Sequence, residues 1–453
     1  MTMRMMSCVV LVCMLPTIAS AQSAQMALRA GERLTLDTAV RLAVENNRQL
    51  ASARLEVAKA DDGIAIARTH RLPIFSTEAN ASQLLSPVSF SFPAGSFGDF
   101  PATGPIPSAD TTVSVPRAPT VYVSSSVSQP LTQLIKVNLG IKNALAVKEI
   151  EGERVRSTQL TVVNNVKRLY FAILQTQSAL VANAEAIELY RELDRTVQVR
   201  VAQQVSLKSD GLDIQFRLAQ EELTRTTTLN ALDSQKEQLN QLMGRDVRTP
   251  FDVEGVSALS VLDVDVEAAQ RHALESRPDV RQARLTVKQA EIDKRLTRAD
   301  RIPEISAAVS YVSNFNIDIM PTNLATAGVK VKWEPFDWGR RSRELTTKER
   351  TLEQAKLAVR DAEDRAAVDI SARFRTLNEK RALLRVTEMA QATAREKVRV
   401  KTNQYQVQAA MLPDVLQLRA ELASSNDHYQ QALLAFWTAK ADFELAIGEE
   451  VIR

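Results

Sequence analysis

The sequence predicts a mainly helical protein with a small β part, built as an internal duplication. Three observations carry that expectation. Sixteen prolines are spread over 453 residues, yet residues 131–249 and 336–412 hold none, and no glycine falls between Gly339 and Gly448. Proline costs a helix interior ~3 kcal/mol and glycine ~1 kcal/mol. Both runs therefore read as helices far longer than the three or four turns usual in globular domains. The second observation is a repeat. Shifted by 230 residues without gaps, segment 41–76 aligns with 271–306 at twelve of 36 positions, and both copies end on a proline, Pro73 and Pro303. The third is a set of four stretches in which polar and apolar residues alternate.

Taken in order, residues 1–21 read as a secretory signal peptide. Arg4 is the positive flank, Cys8 to Leu15 the apolar core, and Ala19-Ser20-Ala21 a small-residue cleavage site. Both cysteines, Cys8 and Cys13, fall in this segment, so the mature chain is expected to have no thiols. Cys13 follows Val12 rather than a small residue, which argues against lipidation. No later run has ~18 consecutive apolar residues, the length a membrane-crossing helix needs. A membrane-crossing mature chain would then have to use a closed β-barrel.

The first repeat spans 22–262. A helix over 37–70 opens after Thr35, a suitable N-cap with Asp37 in its first turn. Strands follow at about 73–84 and 120–129, with a loop rich in Pro, Ser, Phe and Gly between them. The long helix covers 134–204, a polar turn 205–211, and a second helix 212–243 ends at Gly244. A connector, 245–262, packs outside the helical wall. The second repeat, 263–453, restates the plan with helix 266–299, strands about 303–315 and 324–334, long helix 339–405, turn 406–413 and helix 414–446. In each repeat the two short helices together are about as long as the long one, ~100 Å at 1.5 Å per residue. Stacked end to end beside it, they would build a tall cylinder wall. Small and apolar residues at heptad spacing, Leu345, Leu352, Ala355, Val359, Ala362 and Ala366, suit close coiled-coil contacts. A solvated stalk without a tunnel would use the same stripe.

In the strands, Phe75, Val127, Val309 and Val329 stand on apolar faces opposite Ser76, Ser126, Ser310 and Lys330. The lengths suit tilted transmembrane strands, and a half-buried soluble sheet would show the same pattern. Four strands cannot close a barrel. Two chains would give eight strands and a filled interior, whereas three give twelve and a lumen. Glu304, Lys330, Lys332 and Glu334 point inward on this reading.

Composition argues against other classes. A formal charge of +3 is too small to imply a nucleic-acid partner. His70, His272 and His428 are isolated and lack metal-ligand spacing. No glycine-rich phosphate loop and no nucleophile elbow stand out, so no cofactor and no enzymatic activity are expected.

Specific wording then narrows the reading. Leu34-Thr35-Leu36-Asp37-Thr38-Ala39-Val40 with Glu45-Asn46-Asn47, and Arg277-Pro278-Asp279 in the second repeat, resemble the TolC-like outer-membrane efflux proteins. Gln129-Pro130-Leu131 and Glu334-Pro335-Phe336-Asp337-Trp338-Gly339 resemble that family's strand-to-helix junctions. Leu242-Met243-Gly244 and Ala446-Ile447-Gly448 resemble its helix ends. The resemblance covers nearly all of the mature chain, in order. It implies a homotrimer in the outer-membrane lipid of a Gram-negative bacterium, with a 12-stranded β-barrel continued by a periplasmic α-barrel of antiparallel coiled-coil helices. Such a channel is passive and works with a periplasmic adaptor (membrane fusion) protein and an inner-membrane transporter in a tripartite efflux or type I secretion system.

The resemblance also marks the tips. Lys208, Ser209, Asp210 and Gly211 in the first turn, and Ala410, Met411, Leu412 and Pro413 in the second, become candidate adaptor contacts. Asp414 matches the first acidic position that narrows the family's periplasmic aperture. Gln417 occupies the second and is not acidic, and Asp213 holds the equivalent place in the first repeat. Three converging copies of Asp414 would attract cations, although a plain helix cap at this position is an equal alternative. The competing function is a periplasmic or surface coiled-coil protein without a pore.

Overall fold

A computed structural model describes residues 33–115, 117–205, 207–256, 265–315, 321–407 and 409–449. The expected signal peptide with Cys8 and Cys13, connector residues 257–262, and turn residues Ser206 and Gln408 lie outside the described residues. The elements in order are β1 (Arg33–Leu34), α1 (Leu36–Asn46), α2 (Arg48–Thr69), β2 (Ile74–Gln83), β3 (Val88–Phe92), β4 (Asp99–Phe100), β5 (Gly104–Pro105), β6 (Thr111–Val115) and β7 (Pro119–Pro130). They continue with α3 (Leu134–Ala202), α4 (Lys208–Leu242), β8 (Asp252–Val253), α5 (Val266–Ser276), α6 (Pro278–Ala299), β9 (Glu304–Phe315), β10 (Asn323–Lys332), α7 (Arg340–Gln406) and α8 (Leu412–Ile447).

The long helices form where proline and glycine are missing, and they hold 69 and 67 residues. They organise one layer. α2 and α4 pack on α3, α3 packs on α6 and α8, and these two pack on α7. On α7 the expected stripe faces this layer, with Ala355 and Ala366 buried.

The expected single helices 37–70 and 266–299 are each broken once, at Asn47 and Arg277, which are equivalent under the 230-residue repeat. Asn47 is extended (φ −63°, ψ 125°), and its Oδ1 accepts from the backbone N of Gln49 and Leu50 at 2.9 and 3.1 Å. Arg277 has the same backbone (φ −62°, ψ 128°) because Pro278 follows it and disfavours the helical conformation. Each break receives the end of another helix. Asn47 Nδ2 donates to Leu242 O of α4 at 2.9 Å, and Arg277 donates to Ala446 O of α8 at 2.9 Å. Gly244 and Gly448 seat these ends with φ of 69° and 75°.

A hydrophobic core lies against one side of α3. Leu34, Ala39, Val40 and Ala43 bury against Val162, Val166, Tyr170 and Ile173, with Met243, Phe251 and Val253 closing the cluster. β1 pairs in parallel with β8, which ties the connector to the first helix. The Tyr170 hydroxyl lies 2.8 Å from Leu34 O and 2.7 Å from Glu254 O. Burial, with the nearby charges of Glu254 and Asp37, pushes that phenol up to about 12.

β2, β7, β9 and β10 make a four-stranded antiparallel sheet in the order β10-β9-β7-β2. The region 86–119, expected to be a loop, instead carries the paired ribbons β3–β6 and β4–β5. Its alternating Val88, Phe90 and Phe92 oppose Ser89 and Ser91, a strand pattern that the surrounding prolines and glycines obscure. Among the described residues, no helix is long and apolar enough to cross a membrane.

Candidate functional site

The sheet presents two chemically distinct faces. Cross-strand rows place Phe75, Val127, Val309 and Ala327 together on one face. Their neighbours Ser76, Ser126, Ser310 and Thr326 form a polar row on the other. The hydroxyls in that polar row bond in pairs, Ser76 to Ser126 at 2.8 Å and Ser310 to Thr326 at 2.7 Å. Glu78, Glu304, Lys330 and Lys332 share the polar face, with Lys332 opposite Glu304. Glu334 does not, contrary to the sequence expectation: β10 ends at Lys332, and Glu334 instead holds Arg340 at 2.7 Å and Arg341 at 3.1 Å.

Strand turns into helix at two junctions. At the first, Thr132 Oγ1 donates to Pro303 O at 2.7 Å and accepts from Ile305 N at 2.8 Å. Lys136 bridges Asp300 at 2.9 Å and Glu304 at 3.3 Å. Burial opposes its charge, but those two carboxylates outweigh it and hold the ammonium above the ordinary lysine value. At the second junction Trp338 and Gly339 are both left-handed, with φ of 54° and 84°. Asp337 accepts from the backbone N of Arg341 and of Gly339, each at 3.1 Å. The Arg341 bond is the main reason this carboxyl sits below its usual range. Trp333, Phe336 and Trp338 are exposed here, Trp338 at 89%, as rings at a membrane–water boundary are.

At the opposite end of the rods are the two helix turns. Lys208, Ser209, Asp210 and Gly211 were expected in a turn, but they form the first turn of α4. Asp210 Oδ2 reaches back to accept from Leu207 N at 3.1 Å, which satisfies a free helix donor and starts the helix early. Gly211 is buried, and a Cβ there would meet Gln198 Nε2 of α3 at 3.4 Å. Asp213 is committed to Arg217 at 2.9 Å. In the second hairpin Met411 is the N-cap, Leu412 and Pro413 open α8, and Ala410 precedes them. Asp414 is therefore the third helical residue and not the cap. Its carboxylate is half-exposed and lies 3.7 Å from Lys401 Nζ of α7, a partner that sequence spacing gave no means to foresee. Gln417 is exposed one turn further on. Met411, Val407, Val205 and Leu207 leave both turns with exposed apolar side chains.

Between turns and sheet, an open groove of about 820 Å³ runs over α3, α4, α7 and α8. Asn165, Arg168 and Gln175 line it from the side of α3 turned away from Tyr170. Lys380 of α7 and Asp442 of α8 complete its charged lining. Asp442 binds Asn164 at 2.9 Å and Arg373 at 3.0 Å, and Asp369 links onward to Arg277 at 3.1 Å. Burial works against both Arg277 and its partner Asp279, but their mutual attraction raises the one and lowers the other. These charges sit on otherwise ordinary polar helix faces, so the sequence carried no signal that they would meet. Among the described residues no group of histidine, cysteine and acidic side chains is placed to hold a metal ion.

Residues 39–245 and 270–449 match the family described as outer membrane efflux protein. Several solved structures share the fold. The Campylobacter jejuni CmeC outer membrane channel aligns with a TM-score of 0.73 at 15% identity, covering 91% of this chain and 85% of that one. The Vibrio cholerae outer membrane protein VceC gives 0.68 at 15% identity over 91% and 96%. The open-state Neisseria gonorrhoeae MtrE outer membrane channel gives 0.68 at 17% over 91% and 88%. No curated protein sequence matches the chain.

Proposed function

The chain belongs to the outer membrane efflux protein family, a family of channel proteins rather than enzymes, and from that premise we propose a passive homotrimeric export conduit. The observation that carries this reading is the sheet. It has four strands, one apolar and one polar face, and two unpaired edges, and it runs directly into helices of 69 and 67 residues. Three copies supply twelve strands, enough for an open lumen. The apolar rows then face outer-membrane lipid and the polar rows face water. The groove lined by Arg168, Lys380 and Asp442 becomes part of the tunnel's inner wall. Residues 22–262 and 263–453 act as the two repeats of the wall, after removal of a signal peptide at 1–21.

The turns lie in the periplasm on this reading. Lys208, Ser209, Asp210, Gly211, Ala410, Met411, Leu412 and Pro413 meet a periplasmic adaptor, and an inner-membrane transporter supplies the energy of a tripartite system. Asp414, Gln417 and Asp213 line the aperture. Lys401 partly neutralises Asp414, so the ring is a weaker cation trap than three free carboxylates would be. The test uses protein purified from outer membranes in mild detergent. Light scattering should give a trimer, and planar bilayers should show discrete conductance steps. Asp414→Asn should leave the trimer intact and reduce preference for cations over anions. A monomer that carries no current would refute the conduit, and unchanged ion preference would remove Asp414 from the aperture.

A further inference from the structure

The two edges of the sheet carry information about how one copy meets the next. β2 and β10 have ten residues each, every one of them exposed, and they are the two outermost strands. Each ends one side of an antiparallel sheet, and they run in opposite directions, so β10 of one copy can pair antiparallel with β2 of another. Both edges bear a charge on the polar face, Glu78 on β2 and Lys330 on β10. Neither has an ion-pair partner among the described residues. Lys332 stands opposite Glu304, a carboxylate already held by Lys136 at 3.3 Å.

Barrel geometry sets the register of such a seam. Strands ~4.8 Å apart that rise ~3.4 Å per residue and tilt 35–45° need a total stagger of about 12–17 residues around twelve strands. Three-fold symmetry divides this into about 4–6 residues per chain. Only even values keep polar residues on the polar face. The in-sheet register carries a row from Lys330 through Ser306 to Pro130, which reaches β2 just below its first residue. A stagger of about four lifts that row so that the ten residues of β10 meet the ten of β2 end to end. Lys332 then faces Ile74, Asn323 faces Gln83, and Lys330 faces Ser76 with Glu78 as its diagonal neighbour. A stagger of about six sets Lys330 directly opposite Glu78. A stagger of the opposite sign would run β10 past the end of β2 and leave both edges bare.

We propose that β10 of one copy pairs with β2 of the next at a stagger of about four to six residues, joined on the lumen face by Lys330 and the neighbouring copy's Glu78. This rests on the trimeric reading above, in which the outer strands of neighbouring copies already meet, and it adds the register of that meeting and the charge pair that sets it. Three such pairs sit at one level of the barrel, on the lumen side, and each links two chains rather than two strands of one.

The test is a charge swap. Glu78→Lys and Lys330→Glu, made singly, place like charges at every seam and should lower the temperature at which the detergent-solubilised trimer dissociates. The double swap should recover it. Cross-strand pairs of this kind change an equilibrium about two- to five-fold each, so three seams give on the order of ten- to hundred-fold in trimer dissociation. Cysteine pairs supply a geometric readout: Lys330→Cys combined with Ser76→Cys or with Glu78→Cys should yield chain-to-chain disulfides on oxidation. Lys330→Cys with Ser82→Cys should not. A double swap no better than the single ones, or cross-linking at position 82 alone, overturns the seam while the trimer and its conductance stand. A wild-type protein that is monomeric and carries no current removes the premise instead.

Discussion

A methyl group at position 244 would overlap the Asn46 carbonyl oxygen, inside any permissible contact. Position 244 is also left-handed, with φ of 69°, a conformation that costs a residue with a Cβ ~1–2 kcal/mol. Gly244→Ala should therefore destabilise the protein by more than ~2 kcal/mol, because the clashing atom is backbone and cannot rotate away. Gly152, inside α3, makes the opposite case: nothing lies within 4 Å of its would-be Cβ. Gly152→Ala should stabilise by up to ~1 kcal/mol through helix propensity. Thermal melting followed by helical circular dichroism would check the opposed signs. Equal effects would mean the close approach of α4 to the first break is wrong. Gly244 was legible as a helix stop from its place in the sequence. The carbonyl it approaches was not, because Asn46 is far away in the chain and only the folded layer brings them together.

The breaks at Asn47 and Arg277 show how one geometry can be reached by two chemistries. Pro278 enforces the second break by sterics alone, so Arg277→Ala should keep the break and lose mainly the bonds to Ala446 O, Asp279 and Asp369. No proline guards the first. Asn47→Ala removes two backbone caps and the bond to Leu242 O. It should cost ~1–2 kcal/mol, as lost caps do. It should also speed hydrogen exchange at the backbone N–H of Gln49 and Leu50. Unchanged exchange there would show that the neighbouring helix, not the side chain, holds the break. The long helices were readable because proline and glycine are absent over many turns, a signal that needs no tertiary partner. Pro278 marks the second break in the sequence itself; the first was not readable, since a single asparagine in a helical run carries its meaning only when a helix end arrives opposite it. The early start of α4 has a similar origin: Asp210 reads as a turn residue until its carboxylate is seen reaching back to Leu207 N.

On the scale of the whole molecule, the duplication visible at a 230-residue shift becomes a sheet in which each repeat gives one hairpin. The centre of that sheet is the β7–β9 pairing, where Val121 stands opposite Phe315 and Pro130 opposite Ser306. This has a consequence for biogenesis. The pairing cannot begin until about two thirds of the chain has emerged, and contacts so remote in sequence are slow to form. Until then β2–β7 is an isolated two-stranded hairpin, marginal in water and open along both edges. During refolding into detergent, the amides of β7 should gain exchange protection no earlier than those of β9. Protection of β7 while β9 stays open would contradict this order. A chain that waits this long with bare strand edges is exposed to aggregation throughout its passage to the membrane, and the length of that exposure follows from where the two halves meet.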